Sequence, residues 1–440
     1  MNKQELSNES KNKSVAHRLS AADAMKPKGY FRRLKGSEKV SLVLSCFGSM
    51  FGIGIYNHPM YYLKTGVVGY MLACFLAFSL NQITYTTLVK IGDRFGYRNY
   101  ADTAKYLEHP IFLKMMNVLF ITGYIFRIFG PYMTINESLA NLMSFFGKPN
   151  YFLDSKFSFY GFAVAALALF PLVVQKKLGK VTATVYLSLM AYLLIIIFSI
   201  RLTPVIPENK NSEGYRWFIN FKEFPITFFY LVTATTIHGN VMMIYDDLSI
   251  KKIQTMDKVL YIAFTVSSIV YPIFSIIGGR LLIKTSNIDN LPLFQNLIKD
   301  AYTYFPIMSI LMTFFNILIG FNAIVFNFMA FRNTILGFFV PKNTTFDSFV
   351  TSKINFLMAV WLNCMFMLIG SFVTMAIPDF TIGVQLNSFI VSPLLYIFTP
   401  LLVENKMSNG KSLYIKILFC ILLLAYLYTA GKTIYKLFFK

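Results

Sequence analysis

Charge is scarce in this chain. Asp, Glu, Lys and Arg make up only 14% of its 440 residues, where soluble domains carry about 25%, and that shortage excludes most soluble enzymes. Cysteine and histidine are scarcer still, with four of each. Cys46, Cys74, Cys364 and Cys420 all fall inside apolar stretches, which argues against a disulfide framework. His17, His58, His109 and His238 offer no pair at metal-ligand spacing, so neither a metal centre nor an enzyme built on one is expected, and no cofactor is implied. A channel would want a ring of polar or charged residues repeated across helices, and the isolated polar positions here do not supply one.

Apolar side chains are abundant instead, at 56% of the sequence. At about 20 mostly apolar residues per crossing, a dozen helices could span a bilayer. Eleven runs are long enough: 40–62, 67–89, 115–142, 157–174, 181–202, 226–245, 259–283, 304–330, 356–377, 382–403 and 413–435. The expected fold is therefore all-α and polytopic, with the lipid bilayer as its solvent. A polar, basic tail over 1–39 precedes a transmembrane domain over 40–436. The first apolar run starts too late for a cleavable signal peptide.

The formal net charge of +21 would suggest nucleic acid as the partner of a soluble chain. Here the bases sit between apolar runs, where they orient a membrane protein, and nucleic acid is not expected. With the amino terminus inside, Lys and Arg fall roughly two to one on the side of the tail. That makes the tail cytoplasmic and puts the carboxyl terminus on the opposite face. Asn8, Asn12 and Asn343 begin glycosylation sequons, but all three lie on the cytoplasmic side in this topology and are expected to stay unmodified. No sorting signal separates the plasma membrane from a vacuolar or other internal membrane.

Two spans are interrupted. The first reads Gly48-Ser49-Met50-Phe51-Gly52-Ile53-Gly54-Ile55-Tyr56-Asn57-His58-Pro59. Small residues on one face also let helices pack closely, but Asn57, His58 and Pro59 together with the glycines point to a discontinuous helix. The sixth run contains Thr233-Ala234-Thr235-Thr236-Ile237-His238-Gly239-Asn240. Threonines in a membrane helix commonly bond back to their own backbone; their position favours more. Breaks five helices apart are expected when two five-helix repeats of opposite orientation bring their first helices together at a midplane site. The amides freed at one half-helix end suit a carboxylate, and the carbonyls freed at the other suit an ammonium or a cation. A zwitterionic amino acid fits both.

At these residues the chain resembles the amino acid/auxin permease family, within the amino acid-polyamine-organocation group. The family's opening pattern is matched by Gly52, Gly54, Pro59 and Gly66, and its sixth-helix pattern by His238, Ile244, Tyr245, Asp247 and Leu248, with aspartate for the family's glutamate. Weaker echoes are Asn99-Tyr100-Ala101-Asp102, Pro171-Leu172, Arg332 and Ala376-Ile377-Pro378-Asp379. The resemblance implies a leucine-transporter-like 5+5 inverted repeat plus one extra helix, and secondary transport of amino acids by alternating access. Carried onto the matching positions, it places Ser49, Phe51, Gly52, Ile53 and Gly54 on one side of the substrate and Thr233, Ala234, Thr235 and Thr236 on the other. Apolar Phe51, Ile53 and Ile55 suggest a neutral amino acid. A membrane sensor using the same pocket is the alternative function.

Sodium-driven relatives place an Asn in span one and hydroxyl residues in span eight. Here the matching position in span one is Gly48, and 316–325 contains neither Ser nor Thr, which favours proton coupling or none. Arg127, Glu137 and His238 are the ionisable residues at membrane depth, where each is costly unless partnered. Arg127 could pair with a carboxylate, and Glu137 lies near the outer end, where hydration is the simpler reading. His238 titrates nearest neutrality when unperturbed; its alternative role is a hydrogen bond that locks the broken helix. The coupling role predicts that His238→Ala abolishes the dependence of uptake on external pH while the protein still reaches the membrane. Unchanged pH dependence in that variant removes His238 from coupling.

Overall fold

The computed structural model describes residues 35–96, 100–147, 158–176, 182–206, 216–248, 252–285, 302, 304–340, 349–376 and 385–438. Most of the tail, the sequons at Asn8, Asn12 and Asn343, Asn99 and Ile377-Pro378-Asp379 lie outside the described residues. Fourteen helices run through the described part: α1 (Gly36–Met50), α2 (His58–Thr65), α3 (Val67–Phe95), α4 (Tyr100–Lys105), α5 (Pro110–Phe145), α6 (Ser158–Val173) and α7 (Thr182–Leu202). They continue as α8 (Phe224–Ala234), α9 (His238–Asp246), α10 (Ile253–Thr285), α11 (Pro306–Phe339), α12 (Ser352–Ala376), α13 (Asn387–Met407) and α14 (Leu413–Phe438).

Among the described residues, eight helices are long and apolar enough to cross a membrane, and a bent pair, 36–50 with 54–65, makes a ninth with an angle of 54° at its break. Two of the eleven expected runs do not meet this test among the described residues. A crossing of about 30 Å needs about 20 helical residues, whereas α6 has 16 and the sixth run is divided into α8 and α9 of 11 and 9. The described helices place an element in each of the eleven runs, while length and composition alone support eight or nine crossings.

Lipid-like exposure and internal packing divide these helices into faces. α14 shows Leu424 and Leu413 to the outside, at 70% and 69% exposed, whereas the middle of α11 is buried nearly all round. α1 runs against α7 and α11 at very short range. A Cβ built on Gly48 would stand 2.5 Å from Phe326 Cζ of α11 and 2.5 Å from Val185 Cγ2 of α7. Gly66 closes α2 with φ of +86°, and a Cβ there would meet the Phe218 carbonyl oxygen at 2.0 Å, so only glycine fits. The segment at 216–220 in turn satisfies this corner: Val67 N donates to Arg216 O at 2.9 Å, and Asn220 N to Thr65 O at 2.9 Å.

α13 departs from regular geometry. Its segments Asn387–Val391 and Leu394–Phe398 are π-helical, a wide turn often found at functional sites. Side chains of other helices take up carbonyls along it, Thr233 donating to Ser388 O at 3.2 Å and Tyr426 to Ile390 O at 3.3 Å.

The close approach at Gly48 predicts that Gly48→Ala destabilises the protein by about 1–3 kcal/mol through overpacking, read as a lower Tm. Gly431→Ala, at a site with open space around it, leaves Tm unchanged or slightly higher. Equal Tm values for the Gly48 variant and the parent contradict the packing described.

Candidate functional site

The first interruption follows α1 directly. Phe51 and Gly52 take extended backbone conformations, and a short 3-10 turn over Ile53–Asn57 leads into α2, with Pro59 in its first turn. Proline has no amide to donate and is suited to a helix start. Leaving the helix deprives the last carbonyls of α1 of their normal partners, and remote side chains replace them. Asn322 Nδ2 of α11 donates to Gly48 O at 3.1 Å and to Phe51 O at 3.3 Å. Tyr271 of α10 donates to Met50 O at 3.0 Å, Tyr192 of α7 to Gly52 O at 3.1 Å, and Tyr230 of α8 to Gly54 O. The amides are treated differently. Among the described residues, those of Gly52 and Gly54 have no protein acceptor.

The second interruption separates α8 from α9 at Thr235, Thr236 and Ile237. Arg127 of α5 holds this break. Its Nη2 donates to Thr233 O and Thr236 O, and its Nη1 to the Tyr396 hydroxyl, each at 3.3 Å. The guanidinium also lies 5.2 Å from the centre of the Tyr396 ring. From α3, Asn81 Nδ2 donates to Val232 O at 3.3 Å and to Thr235 Oγ1 at 2.9 Å, while Tyr85 donates to Thr235 O at 3.1 Å and accepts from Ile237 N at 2.8 Å. A cation at the carbonyl end of α8 also meets the negative end of its dipole. The structure thus gives Arg127 backbone oxygens as partners.

The two breaks face each other. A Cβ on Gly54 would come within 3.5 Å of Ala234 Cβ. Phe51 is buried beside them, its ring stacked on Tyr271 at 4.9 Å and tilted against Tyr192 at 5.4 Å. Ser49 Oγ and Thr235 Oγ1 bond back to Ser45 O and Leu231 O, at 3.0 and 2.7 Å, whereas Thr233 reaches α13. The side chain of Ile53 lies outside the described residues. His238 opens α9, fully buried, with Nδ1 on the Thr236 hydroxyl, Nε2 2.9 Å from Thr84 Oγ1, and its ring stacked on Tyr396 at 4.9 Å. Glu137 lies half-buried further along α5, nearly three turns beyond Arg127 at about 3.6 residues per turn.

The weaker sequence echoes also acquire partners. Arg332, fully buried, donates to Val173 O and Gln175 O just after Pro171-Leu172, and Tyr245 donates to Asp93 of α3 at 2.6 Å. Residues not singled out by sequence are the donors Asn322, Tyr192, Tyr230, Tyr271, Asn81 and Tyr85. His58 Nδ1 lies 2.6 Å from the Tyr70 hydroxyl, and its ring lies 4.5 Å from that of Tyr271. A polar-tipped side chain within an apolar run was the available signal. Among the described residues, no group of three or more His, Cys, Asp or Glu could hold a metal ion.

No family model matches the chain, and no curated protein matches it. Solved structures do. A structure of MhsT in complex with L-phenylalanine aligns over 90% of this chain and 98% of its own, with a TM-score of 0.62 at 14% identity. A substrate-bound, outward-open Na+-coupled sialic acid symporter aligns over 83% of this chain and 78% of its own, with a TM-score of 0.56 at 13% identity. The fold is leucine-transporter-like. At these identities the likeness is one of architecture: a helical bundle of the inverted-repeat kind, all-α and membrane-embedded, with the facing breaks at its centre.

The bonding of Arg127 predicts that Arg127→Met, which keeps an unbranched apolar stem but removes every donor, costs about 2 kcal/mol and lowers the Tm of the purified protein. Arg127→Lys, which can still reach a carbonyl, is expected to recover part of the loss. A Met variant as stable as the parent contradicts the bracing role.

Proposed function

We propose that the chain is a secondary transporter of amino acids, working by alternating access around the facing breaks. One observation carries this reading. Both interruptions have carbonyls taken up by side-chain donors, while the Gly52 and Gly54 amides have no protein acceptor among the described residues, and Gly54 faces Ala234 of the other break. Open amides ahead of a helical turn suit a carboxylate. A polar solute bound between two half-helix pairs contacts both repeats, so that rocking one against the other changes which side it can leave from. The resemblance to amino acid/auxin permeases supports the same substrate class, and so does the architecture shared with a protein solved in complex with L-phenylalanine.

Phe51, Tyr192, Tyr230 and Tyr271 surround the breaks, and the guanidinium of Arg127 is engaged by carbonyls. Such a lining favours a neutral substrate over an acidic or basic one. Driving force comes from protons, with His238, Arg127 and Glu137 as candidate groups, or from the substrate gradient alone. We take the remaining short or divided runs as crossings, giving eleven in all, with the amino terminus cytoplasmic.

Counterflow tests the reading. Proteoliposomes preloaded with an unlabelled neutral amino acid are expected to accumulate the labelled form, after a thermal-stabilisation panel has picked the ligand. Stabilisation without exchange would instead make the protein a sensor, and no response to any amino acid would sink the substrate class.

A further inference from the structure

We propose that Asn322 holds, as a fixed part of the chain, the place at the first break where a broken-helix carrier would otherwise bind a coupling cation. The carbonyl end of a half-helix at mid-membrane carries partial negative charge, and unwound carbonyls there coordinate small cations in carriers of this architecture. In this chain the carbonyl end of α1 is occupied. Asn322 Nδ2 bridges Gly48 O and Phe51 O at 3.1 and 3.3 Å, and its side chain is fully buried.

The orientation of the amide is fixed by a third contact. Thr184 of α7 donates its hydroxyl proton to Asn322 Oδ1 at 3.0 Å, which turns the NH2 group, and not the oxygen, toward α1. The surroundings are tight as well, since Gly48 already lies against Phe326 and Val185. Two hydrogen atoms of a neutral amide perform the bridging there. At the second break Arg127 does the same with a full positive charge on Thr233 O and Thr236 O.

The inference converts into a gain of function. Asn322→Asp replaces the donor with an oxygen that faces two carbonyl oxygens, and a small hard cation between them relieves the repulsion. The consequence for uptake rests on the transport reading given above, but cation binding can be measured without it. Purified full-length protein is melted in NaCl and in choline chloride at equal ionic strength and pH. The parent is expected to show the same Tm in both salts. Asn322→Asp is expected to melt lower in choline and to rise by about 2 °C or more in NaCl. Should the Asp variant fail to fold, Asn322→Ser, which vacates the bridge and leaves a hydroxyl, is expected to gain the same Na+ response. A parent stabilised by Na+, or a folded variant indifferent to it, overturns the proposal. In proteoliposomes, parent uptake is expected to be within twofold in the two salts, and Na+-dependent parent uptake also overturns it. Loss of all parent uptake counts against the transport reading, while the melting comparison still decides the role of Asn322.

Discussion

A peptide group without a hydrogen-bond partner in hydrocarbon costs several kcal/mol, and the interior of this protein is arranged around that penalty. Two helices stop at the centre of the bundle, and each stop frees carbonyls and amides. The carbonyls are answered from neighbouring helices: Asn322, Tyr192, Tyr230 and Tyr271 at the first break, Arg127, Asn81 and Tyr85 at the second. These bonds tie α3, α5, α7, α8, α10 and α11 to the two breaks. The same bonds that make the interruptions tolerable therefore also fix how the bundle is assembled. Removing one donor strands an acceptor, which is why buried polar networks of this kind are sensitive to single substitutions.

Satisfaction of the breaks is uneven, and the unevenness carries the functional argument. If every freed group were paired internally, the centre would be a structural joint. Instead, the Gly52 and Gly54 amides remain without a protein acceptor among the described residues, Gly54 lying against Ala234 and Tyr230 and Gly52 against Ala323. Glycine at both positions means that neither residue adds a side chain of its own beside these amides. The site thus presents donors for an anionic group and an uncharged lining for the remainder. Positive charge at the other break is already supplied by the chain itself, through Arg127.

The breaks were legible in the sequence because glycine, proline and clustered threonine interrupt apolar runs locally. Their partners were not, because Asn322 lies 274 residues from Gly48 and Tyr271 lies 221 from Met50, and no local pattern encodes such a pairing. Arg127 stood out as a charge at membrane depth, yet the nature of its partner depended on how α5 meets α8. A carboxylate was the natural guess, and backbone oxygens are what the packing supplies. His238 was conspicuous as a titratable residue, whereas the two hydroxyls on its ring nitrogens come from α3 and from the break itself. Eleven apolar runs were readable in the sequence. Among the described residues, eight helices and one bent pair meet the length and composition of a crossing; the fourth run shows a helix of 16 described residues, and the sixth is divided at the site.

The central claim is that both helices are interrupted and that distant side chains take up the freed carbonyls. An experimental density map of the protein in a lipid environment, resolving the chain around Phe51 and Thr235, tests this most directly. The account predicts non-helical backbone at both places, with the Tyr271 hydroxyl and the Asn322 amide seated on carbonyls of the first and the Arg127 guanidinium on those of the second. Unbroken α-helix through either segment, with those side chains turned elsewhere, would contradict it.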